Sequence, residues 1–575
     1  MPCFSIKMGE TKKHPVRKWG LGLRYRYTHW AVLAGIPALL VAIPFLTILA
    51  GLLKGPGANW PHLVQTVLPD YVLNSLLLLL YVGSCTLVVG TACAWLVTTC
   101  QFPGRRFFSG ALILPLALPT YIVAFVYAGI TDYTGPLQRF LRGPLGFSHE
   151  QASVDIMNMG GIVFVLSAVL YPYVYVLARG AFQLQSRSLL ESARMLGSGA
   201  WRMFFGVALP IARPALAGGL FLVLMELLND YGAVKYYGIS TFTTGIFRSW
   251  FSLGDLQAAV YLSGLLLLLI GLLIALERWQ RGKARYHAAS SAQHTLTPFR
   301  LRGLWAFAAF LACLLPFLAG FALPVLQLVV WAAATAHKVV DARFWELMGN
   351  SLRVSAGAAL LCVLLALVLV FAGQLSRGRL LKVITRLSTL GYAIPGAVIA
   401  VGVLIPLLGF DRQLSGLLGS LGGKPGGLLL TGTIFGLLMA YVVRFLAVAY
   451  NPADAGIKRV SPYMLDAARS LGYRPLAVLW HVYLPLLRGP LLSAALLVFV
   501  DAMKELPLTL ILRPFNFHTL ATKAFELAGD EMIAESASPA LVIVLSGLLP
   551  VLLLNTLITV KPRAGAKEPV QKIPA

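Results

Sequence analysis

Four carboxylates stand where carboxylates are expensive. Glu226 and Asp501 fall late in long apolar stretches, 275 positions apart, and Asp230 and Glu505 follow them four residues later. A charge within a hydrocarbon span costs roughly 3 kcal/mol on insertion scales, so it faces a partner or an aqueous cavity. A spacing of four puts each pair on one face of a helix. Two such faces suggest a negatively lined pathway for a hard, oxygen-seeking cation. Tyr231 and Tyr237 would add phenol oxygens, although aromatics at a membrane boundary also serve as anchors. The plainer alternative pairs these acids with Lys235 and Lys504, or leaves them in outer-side water. No His-Glu-x-x-His or paired-Cys pattern is present, so no metal ligand set and no catalytic constellation is assigned. His287 and His294 are expected to be solvated.

A second set of residues could bind rather than react. Residues 191–216 read ESARMLGSGAWRMFFGVALPIARPAL and residues 466–491 read DAARSLGYRPLAVLWHVYLPLLRGPL. Glu191, Ala193, Arg194 and Gly197 are matched by Asp466, Ala468, Arg469 and Gly472, and Leu209-Pro210 by Leu484-Pro485. Each copy predicts a short charged helix that breaks at its glycine, with the Leu-Pro placed where the chain re-enters the bilayer. A generic amphipathic connecting loop would not recur at equivalent places. Two equivalent surfaces are therefore offered to something soluble.

These residues must be held by membrane helices. The 575-residue chain is 58% hydrophobic and 12% charged, with mean hydropathy +0.79, which excludes a soluble globular class. Twelve apolar runs predict spans at roughly 30–53, 73–99, 107–130, 159–180, 207–228, 257–276, 304–334, 352–374, 386–409, 428–450, 489–503 and 539–560. The runs are continuous rather than alternating, which excludes a β-barrel. The net charge of +25 is a topology signal rather than a nucleic-acid footprint. With the N-terminus inside, most of the 47 Lys and Arg lie in inner loops, and most of the 22 Asp and Glu lie outside or within helices. No signal peptide is expected at the start. The six cysteines avoid predicted outer loops and are expected to pack as small apolar residues.

The repeat continues beyond the charged segments. Asn74-Ser75-Leu76 matches Asn350-Ser351-Leu352, and Pro119 matches Pro395. The expected organisation is a basic cytoplasmic arm (1–29), a six-helix unit (30–277), a basic linker (278–302), a second six-helix unit (303–560) and a cytoplasmic tail (561–575). Six helices per unit make the two units parallel, against inverted-repeat carriers but not against the major-facilitator class. The chain has no G-x-x-x-x-G-K-[ST] loop to wrap a nucleotide's phosphates, and Gly419 to Lys424 has the wrong glycine spacing. Any driving energy must come from a partner.

The acidic-x-Ala, Gly and Leu-Pro spacing resembles the EAA loop of ATP-binding-cassette importer permeases. Residues 118–137, 228–251 and 503–531 further resemble fused permeases of the ferric-iron importer family. Both loops depart from a literal Glu-Ala-Ala, the first by Ser for Ala and the second by Asp for Glu, changes that keep size and charge. The resemblance implies an all-α polytopic membrane protein of about 12 spans with the type I importer permease fold. It implies a periplasmic binding protein on the outer face and two copies of a cytoplasmic ATPase, one beneath each loop. ATP would be used by that partner, with no cofactor in this chain and no homodimer. The implied place is the bacterial inner membrane, with both termini cytoplasmic. Related fused permeases carry thiamine, polyamines and phosphonates, and a proton-coupled carrier is the more distant alternative.

Overall fold

The computed structural model describes residues 28–148, 154–184, 199–281, 299–375, 379–420 and 429–558. Among these, eleven helices are long and apolar enough to cross a membrane. A twelfth span is formed by a broken pair, Arg105–Ala117 and Thr120–Arg142, bent by 95°. In chain order the spans are α1 (Thr28–Leu52), α2 (Leu68–Thr99), α3 (Thr120–Thr131, in the broken pair), α4 (Met159–Leu184), α5 (Phe204–Asn229) and α6 (Leu256–Arg281). The second half supplies α7 (Leu304–Val339), α8 (Ala342–Leu375), α9 (Gly396–Ser420), α10 (Ile434–Ile457), α11 (Pro475–Met503) and α12 (Ile533–Ile558). Helices satisfy their own backbone groups, the condition for lying in lipid. Leu268, Leu272, Leu360 and Leu545 remain exposed on the outside of the bundle, where acyl chains cover them.

The first half is assembled by close approach at small residues. Gly90 of α2 and Gly219 of α5 both press on α4 at Val174, where an added Cβ would lie 2.8 Å from Val174 atoms. Without a hydrophobic driving force between helices in lipid, such contact supplies the attraction through dispersion. The halves are also laced together. The first helix, α1, packs on α9 and on the helix Arg379–Ser388 of the second half. In return α7 lies against the first half, where Tyr127 donates to the Ala319 carbonyl at 2.7 Å. A two-residue parallel strand pair, Cys100–Gln101 with Phe299–Arg300, adds a further tie.

The repeated sequence motifs have repeated structural causes. Leu118-Pro119 and Ile394-Pro395 follow 3-10 turns at Leu114–Ala117 and Leu390–Ala393. The residue before proline is driven to extended backbone, and proline then opens the next helix, so both halves break and restart at this level. Asn74 donates to the Ser240 carbonyl at 3.0 Å, and Asn350 to His518 at 3.5 Å. Each fixes the loop leading to a Thr-x-x-Thr capping box, Thr241 with Thr244 and Thr519 with Thr522.

Several boundaries differ from expectation. Leu209-Pro210 and Leu484-Pro485 do not open α5 and α11 but lie inside them, each just after a π-helical turn, Phe204–Ala208 and Leu479–Tyr483. Proline lacks an N–H and its ring crowds the preceding turn, and a π turn widens the helix to accommodate both. The eleventh span is therefore much longer than 489–503. Within 278–302, α6 continues to Arg281 and a strand forms at Phe299–Arg300, with 282–298 outside the described residues. Among the described residues five cysteines form no disulfide, and all but Cys85 are buried.

Candidate functional site

A cavity of about 130 Å³ lies between the halves where α5 and α11 end. All four expected carboxylates line it: Glu226, Asp230, Asp501 and Glu505. The expectation that each pair shares one helical face is corrected. α5 stops at Asn229 and α11 at Met503, so Asp230 and Glu505 lie beyond the helix ends and turn to different work.

Asp230 is buried and caps the short helix Gly232–Tyr236, accepting from Ala233 N at 3.1 Å and Val234 N at 3.2 Å. The Thr120 hydroxyl, at the start of α3, also donates to it. Lys235 is not its partner. Glu505 caps the helix Pro507–Leu512 through Leu508 N at 3.1 Å. A carboxylate at a helix N-terminus satisfies otherwise orphaned donors and sits favourably in the helix dipole. The break after each long helix is thus sealed by its own acid.

Glu505 has a second partner that sequence reasoning missed. Arg444 of α10 places Nε 3.3 Å from Glu505 Oε2. Its Nη1 donates across the interface to Asn229 Oδ1 at 2.9 Å, and the same oxygen accepts from Gly396 N at 2.8 Å. The signal was available: Arg444 is the one charge within the apolar run IFGLLMAYVVRFLAVAY. Gly396 makes room for it, since a Cβ there would lie 2.3 Å from Arg444 Nη1.

The other two acids remain nearer the free volume. Asp501 pairs with Lys504 at 3.0 Å, as the plainer reading anticipated. Glu226 is half-buried and makes no hydrogen bond or ion pair among the described residues. The lining therefore sets four carboxylates against two cations, Lys504 and Arg444. Tyr231 lines the cavity, whereas Tyr237 is buried and donates to Ala124 O at 3.4 Å. No three His, Cys, Asp or Glu side chains among the described residues converge to hold a metal ion. Among the described residues the geometry offers an acidic cavity rather than a fixed chelating site.

At the other end of α11 lies the second charged segment. The helix Pro462–Ser470 ends in a left-handed Gly472 (φ 83°), with Tyr473 N bonded to Ala468 O at 3.1 Å. This closes the helix in the manner of a Schellman turn. Asp466 stands in the middle of this helix rather than at its start. Ala468 is buried in a small cluster with Phe371, Ile457 and Val478, so it seats the helix instead of facing outward. Tyr463, Leu471 and Tyr473 are exposed beside it. Glu191, Ala193, Arg194 and Gly197 lie outside the described residues.

The sequence profile of the family described as "Binding-protein-dependent transport system inner membrane component" matches twice, over residues 86–281 and 363–561. The chain belongs to that family. As a fused, all-α inner membrane component it carries two copies of the permease unit in one polypeptide. It is 26% identical to the Fe(3+)-transport system permease protein FbpB 2 of Haemophilus influenzae, over 91% of this chain and 96% of that protein. It is 24% identical to the ferric transport system permease protein FbpB of Actinobacillus pleuropneumoniae, over 75% of this chain and 62% of that one. A molybdenum transport system permease protein, ModB of Escherichia coli, is 29% identical over 29% of this chain. Each copy of this inner membrane component contributes one acid-sealed helix break to the shared cavity.

Proposed function

We propose that this chain is the membrane-spanning subunit of an ATP-driven importer that passes ferric ion between its two halves. The carrying observation is the acidic cavity at the interface, in a chain similar along nearly its whole length to a permease named for Fe(3+). Glu226 and Asp501 meet the ion, because they are the acids not committed to capping. Asp230 and Glu505 hold the helix breaks and add negative potential. Oxygen donors without a converged ligand set suit transit, since a site that binds too well does not release.

Two copies of a cytoplasmic ATPase engage the segments around Glu191, Ala193, Arg194 and Gly197 and around Asp466, Ala468, Arg469 and Gly472. The exposed apolar residues Tyr463 and Leu471 favour such a partner at the second segment. A binding protein delivers the ion to the opposite, periplasmic face, and the basic loops keep both termini cytoplasmic. The units 30–277 and 303–560 each form one half, joined by 278–302.

The test is uptake of radiolabelled ferric ion by cells expressing the chain with its ATPase and binding protein. Thiamine, polyamine, phosphonate, molybdate and sulfate serve as competing cargoes. Iron uptake that disappears without the ATPase supports the reading. Uptake that persists without it refutes an ATP-driven importer, and preference for a competing cargo refutes iron.

A further inference from the structure

A second cavity between the halves, of about 520 Å³, lies past the ends of α5 and α11, away from the helix Pro462–Ser470. Its charges have the opposite sign. Lys235 and Arg248 enter from the first half and Arg513 from the second, and no carboxylate among the described residues lines it. Arg513 is steadied by Glu526 at 2.8 Å. Lys235 is exposed and has no ion-pair partner among the described residues.

The wall between the two cavities is aromatic. Tyr231 lines both. It stacks on Phe247 with centroids 3.7 Å apart and planes 16° apart, and Phe525 closes in at 5.9 Å. Along the interface a cationic chamber, an aromatic septum and an acidic chamber therefore follow one another. A bare cation is repelled by the first, so the first is not built for a cation alone.

We propose that this outer chamber binds a small oxyanion, a carboxylate or phosphate of the kind that accompanies a hard trivalent cation in water. Guanidinium groups match carboxylate and phosphate oxygens in a planar fork, and an ammonium adds a point charge. The volume falls within the roughly 300–1,000 Å³ typical of small-molecule pockets, and its concave shape favours a small molecule over a protein surface. The anion is held here while the acidic chamber beyond the septum attracts its cation. The cation half of that statement rests on the ferric reading, but the anion site stands without it.

The experiment uses the full chain in lipid nanodiscs and contains no iron. Binding of radiolabelled citrate and of inorganic phosphate is measured by equilibrium dialysis. Saturable binding of either is expected, weakened at least about tenfold by Lys235→Gln with Arg248→Gln. The charge-keeping pair Lys235→Arg with Arg248→Lys should restore it, which separates lost charge from lost fold. Lys338→Gln, on the exposed surface of α7, should bind as the parent does. Absence of binding for both anions, or full binding by the double Gln variant, overturns the proposal. So does a double Gln variant that loses only docking of an acidic binding protein. If the anions bind as expected and iron is not carried, the cargo reading fails and this site remains.

Discussion

Arg444→Met tests the interface where it is most constrained. The Arg444 guanidinium and the Glu505 carboxylate are 9% and 5% exposed. At 3.3 Å the Nε contact is ionic without an aligned hydrogen bond, whereas the Nη1 bond to Asn229 at 2.9 Å is aligned. Removing the guanidinium leaves the Glu505 side chain with one backbone donor, Leu508 N. Breaking a buried pair from one side costs about 3–5 kcal/mol, and the loose Nε geometry puts this case near 3. Adding Glu505→Gln removes the stranded charge, so more than half of the loss should return. The assay is the apparent Tm in nanodiscs at a fixed scan rate, because unfolding of such a chain is read as a rate. The cross-half bond gives a second readout. A hydrogen bond from a charged donor contributes about 1.5–3 kcal/mol, so its loss should raise the population with parted halves by about 10- to 100-fold. Ion leak through proteoliposomes without ATP reports that population. A single variant as stable and as tight as the parent, or a double variant worse than the single, would show that Arg444 neither compensates Glu505 nor holds the halves together.

Three further outcomes are expected. Gly472→Val should cost about 1–2 kcal/mol in backbone strain, since φ is 83° and no atom lies within 4 Å of an added Cβ; co-purification of the ATPase should fall while the permease itself stays folded. Glu226→Gln with Asp501→Asn keeps shape and removes two of the four cavity charges, so ferric uptake should drop at least about tenfold with ATPase docking intact; unaltered uptake would move the pathway elsewhere. Gly402→Leu places side-chain atoms where a Cβ already lies 2.7 Å from the Pro44 Cα, so α1 must lift from α9 at a cost of about 1–3 kcal/mol, read as a lower apparent Tm.

What the sequence made legible was whatever repeats or exceeds a composition threshold. Long apolar runs located the spans, because lipid imposes one length on every helix. The paired Asn-Ser-Leu and Pro motifs marked real joints, since each performs the same backbone task twice. Carboxylates in apolar stretches pointed to the cavity because burying charge is costly wherever it happens. Asp230 and Glu505 leave the helical faces of Glu226 and Asp501, because a period of four holds only while the helix lasts. Both acids are helix breakers' partners, accepting from the short helices that follow. Asn229 and Gly396 gave no signal at all. Their roles are set by what approaches from the other half, some 167 positions away in the chain.

The two halves share a backbone plan but not a chemistry at the interface. Val169 occupies the repeat position of Arg444, and Thr120 that of Gly396. In the first half Thr120 and two backbone N–H groups satisfy Asp230 from within. In the second, Arg444 meets Glu505 and reaches over to Asn229. The two substitutions are linked. Any Cβ at Gly396 would lie 2.3 Å from Arg444 Nη1 and 2.8 Å from Glu505 Oε1, so a threonine there would require both side-chain ends to shift. A homodimer of identical six-helix units would carry Arg444 on both sides or on neither, and with it a second cross-half bond or none. Covalent fusion lets the halves diverge, so that one side of the interface carries the polar latch and the other closes on itself.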